Sequence, residues 1–357
     1  MRTDKELLLA TKRFASEVRW VSWWCLISTL AAYGLCLAIV VSDAALWIRI
    51  FASCISGLVT VRLFIIYHDY EHGAILQKSR FVKLIMQLYG MLVLSPISVW
   101  NRSHDHHHKH NCKETAVSIG SYPIMTCEQY ASATFIKRLN YNMARHPLIM
   151  IFGYLTVFMY GMCIRAFILN PKHHLDSGIA VLLHLFLIGW LSLYGLDAVL
   201  LCLILPLFIA CGSGSYLFYA QHNFPDCKLT KKDDWSYVTA ALKSSSYIEM
   251  GLIGRWFTGN IGYHHIHHLN AKIPFYRLPD AMAALEELQS PAVTSLSFRN
   301  ILRCWSLKLW DPDLDQLVPF PKKHSAPSVQ THPLRTAHRL TPEVGMRLAS
   351  SVSRSVL

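Results

Sequence analysis

Charge is scarce in this chain. Of 357 residues, 34 are Lys or Arg and 22 are Asp or Glu, together 16%, where a soluble protein carries about 25%. With 53% hydrophobic residues and a mean hydropathy of +0.29, that deficit excludes an ordinary soluble globule. It also excludes disorder over most of the length, because disorder needs low hydrophobicity and high charge. The ten Cys form no CxxC pair. Cys25, Cys36, Cys54, Cys163, Cys202 and Cys211 lie inside apolar runs, where a thiol behaves as a small hydrophobe, so a secreted disulfide scaffold is excluded too. No small-residue cleavage site follows the first apolar run, which therefore reads as a retained span rather than a signal peptide. What is present in excess is a formal net charge of +12, 19 His and several long apolar runs. A basic chain this apolar has a membrane to sit against, and no nucleic-acid partner is expected.

A hydrocarbon core about 30 Å thick needs roughly 17 to 25 apolar residues in helix. Val21 to Val41, Leu46 to Tyr67, Pro147 to Leu169 and the shorter Ile179 to Tyr194 fit, with Trp20, Trp23 and Trp24 as an interfacial belt. Phe81 to Trp100, with Lys83 and Pro96, and Leu200 to Tyr219, with Pro206 and Gly212-Ser213-Gly214, are ambiguous. Lys and Arg crowd residues 1–20 and 101–146, whereas no basic residue separates the first two spans and only Lys172 lies between Leu169 and Ile179. The positive-inside rule makes the two basic segments, and both termini, cytoplasmic. Only Arg49, Arg62, Arg165 and Lys172 then fall within or beyond the spans, leaving 30 of the 34 cations inside. Parity requires both ambiguous stretches to be interfacial or re-entrant. An alternative with the same sidedness lets Leu200 to Tyr219 span in place of Ile179 to Tyr194. The expected fold is an all-α polytopic membrane protein, with four transmembrane helices in two hairpins plus interfacial helices. Its parts are a basic segment (1–20), a membrane domain (21–312) and a basic, Pro- and Ser-rich disordered tail (313–357).

The histidines cluster. His68 and His72 form HxxxH; His104, His107 and His108 form HxxHH, and so do His264, His267 and His268. Residues three and four apart share a helical face, so each set converges. At the chain's own His frequency, one HxxHH arises by chance roughly 0.05 times. The Lys and Arg pattern alone puts all three sets on the cytoplasmic face, where one site can collect them. Imidazole suits iron, copper, zinc and nickel. Eight are too many for one ion and about right for two, and no structural zinc site needs more than four ligands. The lack of an ExxH pair argues against carboxylate-bridged di-iron bundles. The chemistry that needs two irons at a membrane surface is oxygen activation for attack on an unactivated C–H bond. His106, His110 and His265 sit off the ligand spacing, and His184 reads as a satisfied core residue. Asp69 and Asp105 each follow a box His and read equally as orienting carboxylates or solvated acids. Arg62 reads as snorkelling toward the cytoplasm in preference to holding an acidic partner.

YHDYEHG at 67–73, WNRSHDHHHKHN at 100–111 and NIGYHHIHHLNAKIPFYRLPDA at 260–281 resemble the boxes of the integral-membrane fatty acid desaturases, over roughly residues 46–290. The likeness is to the bacterial acyl-lipid, omega-6-like type. The resemblance implies four spans under a cytoplasmic di-iron cap in the bacterial inner membrane. It implies an acyl-lipid substrate, O2 and two electrons per turnover. It also implies a further His ligand between the second and third boxes, where Gln221-His222-Asn223 stands, making His222 the ninth. No HPGG-type haem segment is present, so electrons are expected from a separate ferredoxin or cytochrome. The same framework serves hydroxylases and carotenoid ketolases, the main alternative. A metal transporter is the alternative of a different class, and it requires ionisable residues deep in several spans.

Overall fold

The computed structural model describes residues 2–112, 122–230 and 235–321. Four helices are long and apolar enough to cross a membrane: Arg19–Val40 (span 1), Leu46–Glu71 (span 2), Leu175–Ser192 (span 3) and Leu196–His222 (span 4). At 1.5 Å per residue span 1 is roughly 33 Å long. Its Trp24, Ile27 and Leu35, like Leu182, Leu185 and Phe186 of span 3, are exposed apolar side chains, as a lipid-facing surface requires.

The expectation of four spans in two hairpins holds, but the second hairpin is a different one. Leu200 to Tyr219 belongs to span 4, and Pro147 to Leu169 is not among the helices long and apolar enough to cross. That segment forms a short helix, Pro147–Ile151, which stops at Phe152; a π-helix over Tyr154–Ile164 and the turn of helix Arg165–Leu169 follow. The continuous part, Tyr154–Leu169, is roughly 24 Å long and too short for the hydrocarbon core. Gly195, at φ +104°, makes the tight reversal between spans 3 and 4 that a side chain would strain. Span 4 keeps its helix through Gly212-Ser213-Gly214 because Gly212 packs against the Ile151 carbonyl, leaving about 3.0 Å for any Cβ.

Spans 2 and 4 run parallel. Arg49 Nη2 meets Asp197 Oδ2 at 2.6 Å at their N-terminal ends, and Ser53 Oγ donates to Leu201 O at 2.7 Å one turn on. Their C-termini therefore deliver His68 and His222 to the same side. Arg165 and Lys172, expected within or beyond the outer turns, precede span 3 on the histidine side, so the charge asymmetry is sharper than expected. The ambiguous stretch Phe81 to Trp100 becomes Arg80–Leu92 and Ile97–Lys109, bent by 88°. Only residues 73–79 separate Arg80 from His72, and the second arm carries His104, so both ends lie on the histidine side and the pair is re-entrant. Its depth is set by Tyr89 OH donating to Thr60 O at 2.7 Å and Tyr67 OH donating to Ser95 O at 2.9 Å.

Amphipathic helices Phe135–Ala144 and Phe298–Ser306 expose Phe135, Ile136, Phe298 and Leu302, as expected of interfacial pieces. Two small sheets brace the histidine side. Leu309–Asp311 lies between Met125–Thr126 (parallel) and Gln316–Val318 (antiparallel), and Tyr247–Glu249 pairs in parallel with Val293–Ser295. The expected tail boundary at 313 falls inside the hairpin closed by Gln316–Val318; from residue 322 the tail lies outside the described residues.

A Cβ on Gly57 would meet the Pro206 carbonyl at 2.8 Å and Ile209 Cβ at 2.9 Å. Gly57→Val is expected to cost about 1–3 kcal/mol through overpacking, read as a lower thermal midpoint in detergent. Gly34→Val, where nothing lies within 4 Å, should leave the midpoint nearly unchanged.

Candidate metal centre

The nine imidazoles singled out in the sequence converge from four elements. Span 2 ends in His68 and His72, the second arm of the bent pair carries His104, His107 and His108, span 4 ends in His222, and helix His264–Leu269 carries His264, His267 and His268. They divide into two groups. One holds His68, His72, His104, His108 and His267, the other His107, His222, His264 and His268, and within each group the candidate ligand atoms lie within 4.8 Å of one another. Eight of the nine are buried and His72 is half-buried.

Ring nitrogens face each other across the site. His104 Nε2 is 3.0 Å from His68 Nε2 and 3.1 Å from His108 Nε2, while His264 Nε2 is 2.9 Å from His222 Nε2 and 3.1 Å from His268 Nε2. Each Nε2 offers either one N–H or one lone pair, so an Nε2 with two imidazole neighbours leaves one of its two contacts without a hydrogen bond of its own. Two nitrogens at right angles on one ion, each about 2.1 Å away, stand about 3.0 Å apart. The donor set therefore fits cations. Burial, and after it the neighbouring imidazoles, hold His264, His267 and His268 well below 6.5, keeping them neutral with lone pairs free.

The surroundings fix several rings. Asp69, 1% exposed, meets His68 Nδ1 through Oδ1 at 3.1 Å and accepts from Phe275 N through Oδ2 at 2.6 Å. The first bond leaves His68 Nε2 bare. His222 Nδ1 donates to Ser244 O at 2.9 Å with the same consequence. Asp105 is exposed and solvated, so the two box acids divide one to each reading. His265 is buried but turns away from the cluster, its Nε2 on Leu288 O at 3.1 Å, and burial pushes it down to about 4. His106 and His110 stack on each other at 4.1 Å outside both groups. His184 bonds Leu92 O at 2.8 Å and Tyr154 OH at 3.3 Å, a satisfied core residue.

Three supporting residues were not legible beforehand. Arg62 does not snorkel. It is buried, donates to Trp256 O and to Thr29 Oγ1 at 3.1 Å, and lies 4.5 Å from the Trp256 ring centroid. Arg145, fully buried, donates to Asn223 Oδ1, Pro123 O and Leu307 O, so the residue after His222 is tied to both ends of the cap. Asp176 accepts from Ser98 N at 2.9 Å and from Ser98 Oγ at 2.5 Å, supplying the N-terminal cap that Pro96 does not give the box-bearing arm. A cation deep in an apolar run and a lone acid before one were the signals available, but their partners lie far away in sequence.

Below the cluster, Trp100 stacks on His104 at 4.4 Å and 22° and meets Phe64 edge-on at 5.1 Å. Phe64 also lines a cavity of about 30 Å³ between spans 2 and 4, with Thr60, Val61, Tyr89, Phe158 and Gly214. Val61 is shared with an apolar groove of about 580 Å³ lined by Leu58, Phe208, Gly212, Ile253 and Trp305 among others.

The fold and site define a polytopic membrane protein with a buried polyhistidine centre compatible with metal. A sequence model of the fatty acid desaturase family matches residues 44–299, and the chain belongs to that family. It is similar to a fatty acid desaturase of Bacillus subtilis (strain 168), 32% identical over 274 residues, covering 74% of this chain and 75% of the relative. It is also similar to the sn-1 oleoyl-lipid 12-desaturase of Synechocystis sp. (strain ATCC 27184 / PCC 6803 / Kazusa), 22% identical over 246 residues, covering 68% of this chain and 70% of the relative. Membership implies an oxidoreductase with a lipid acyl substrate.

Asp69→Ala removes the His68 orienter and the tie to Phe275 together. It is expected to weaken metal binding by about 10–100-fold, measured by titrating metal-stripped protein with Co(II).

Proposed function

We propose that the protein is a di-iron acyl-lipid desaturase of the bacterial inner membrane, with both termini cytoplasmic. The carrying observation is the pair of imidazole groups set above an apolar cavity between spans 2 and 4, with Trp100 and Phe64 between them. Two irons held by the five-His and four-His groups would supply the power to remove hydrogen from an unactivated C–H bond, using O2 and two electrons. An all-imidazole donor set suits iron, copper, zinc or nickel, and membership of the desaturase family favours iron among them.

The chain's own residues do the rest. The groove offers an apolar path from the bilayer at Ile253 and Phe208, past Val61, to the cavity under Phe64. An acyl chain there sheds water and lies against Phe64, with the Phe64 and Trp100 rings between it and the imidazoles. Burial keeps His264, His267 and His268 neutral, so they bind rather than titrate. Asp69 and the Ser244 carbonyl hold the His68 and His222 rings in one orientation. The positive-inside pattern supports a cytoplasmic histidine side, because among the described residues Arg49 alone of the cations sits at the far ends of the spans. Electrons then arrive from a separate ferredoxin- or cytochrome-type donor on that face. The transport reading loses support, since His184 is bonded to Leu92 and Tyr154 and lines no path.

Expression in a host lacking the activity, with gas chromatography of fatty acid methyl esters, should yield a new unsaturated ester. His267→Ala and His264→Ala, one from each group, should each abolish that peak. A hydroxylated product or an unchanged profile would contradict the reading.

A Cβ on Gly214 meets nothing closer than Phe158 Cζ at 3.8 Å. Gly214→Ala is therefore expected to narrow the cavity with little strain, lowering product or moving the double bond. Metal content should stay unchanged.

A further inference from the structure

The second histidine box ends in a backbone that turns sharply. Cys112 has φ +48°, a left-handed conformation that a side chain rarely adopts, and this turn aims its thiol at the segment after span 4. Its Sγ lies 3.6 Å from Ser244 O, the carbonyl that accepts from His222 Nδ1 at 2.9 Å. Cys227 reaches the same place from the other side, its Sγ donating to His222 O at 3.3 Å. Thr230 N donates to Cys112 O at 3.5 Å and Ser244 Oγ donates to Lys228 O at 2.5 Å, so the segments that carry the two thiols lie side by side. Cys112 is half-buried and Cys227 wholly buried. The cysteines inside the spans are packed as small hydrophobes. This pair has one partly exposed residue and a buried partner on the adjoining segment, the arrangement of an attacking and a resolving thiol.

We propose that Cys112 and Cys227 are a reversible oxidation site that closes to a disulfide under peroxide and loosens His222. The Cys112 sulfur attacks hydrogen peroxide, the O–O bond breaks, and water leaves with a sulfenic acid on Cys112. The Cys227 thiol then displaces that oxygen as a second water, forming the S–S bond. Two thiols are oxidised and one peroxide is reduced to two waters. Closure pulls Cys227 away from the carbonyl of His222 itself and Cys112 away from Ser244 O, the carbonyl that holds the His222 ring. The pairing stands on the thiol geometry alone, and only its effect on metal rests on the proposed metal centre.

The test treats the full-length protein in native membrane vesicles with hydrogen peroxide, alkylates free thiols and maps peptides without reduction. A peptide linking Cys112 to Cys227, lost on dithiothreitol treatment, is expected. In Cys227→Ser the link should be absent and Cys112 should be recovered as sulfinic acid. If that variant does not fold, the wild-type map still decides. Recovery of both residues as alkylated thiols, or links only to other cysteines, would overturn the pairing. Metal affinity of the oxidised protein, titrated with Co(II), should fall by about tenfold and return on reduction. A linked peptide with unchanged affinity would overturn the effect on His222 and leave the desaturase reading untouched.

Discussion

Imidazole nitrogens held 2.9 to 3.1 Å apart and away from water set the terms for the rest of this structure. Water cannot reach the unsatisfied contacts, and burial disfavours the extra protons that would satisfy them. Positive ions remain as the partner that satisfies several nitrogens at once. The helices around the site make those contacts unavoidable by giving the rings little room to separate.

That rigidity has identifiable sources. Spans 2 and 4 are locked in parallel by Arg49–Asp197 at one end and by the close approach at Gly57 in the middle, so His68 and His222 emerge at one level. The re-entrant pair is pinned by Tyr67 and Tyr89 below and capped by Asp176 above, which sets the pitch of His104, His107 and His108. Arg145 and Asp69 tie the ends of spans 4 and 2 to the segments that carry and follow the third box. The same spans leave a narrow apolar space beneath Trp100, so one scaffold serves both the polar centre and the apolar cavity.

The centre was legible in the sequence because its spacing is local. Ligands three and four apart share a helical face whatever the tertiary structure does, and the Lys and Arg asymmetry put all the boxes on one side. Span identity was less legible. Pro147 to Leu169 and Leu200 to Tyr219 are equally apolar, yet one breaks at Phe152 while the other stays helical across two glycines, because Gly212 fits against the Ile151 backbone. Asp69 and Asp105 occupy matching positions after a box His, and only the approach of Phe275 makes one an orienter. Arg62 read as snorkelling because its partner, the Trp256 carbonyl, lies 194 residues away.

The most direct test of a two-ion centre is metal analysis with X-ray absorption on purified full-length protein. The account predicts about two irons per chain with a first shell dominated by imidazole nitrogen. One ion per chain, metal well below stoichiometry, or a sulfur-rich shell would contradict it.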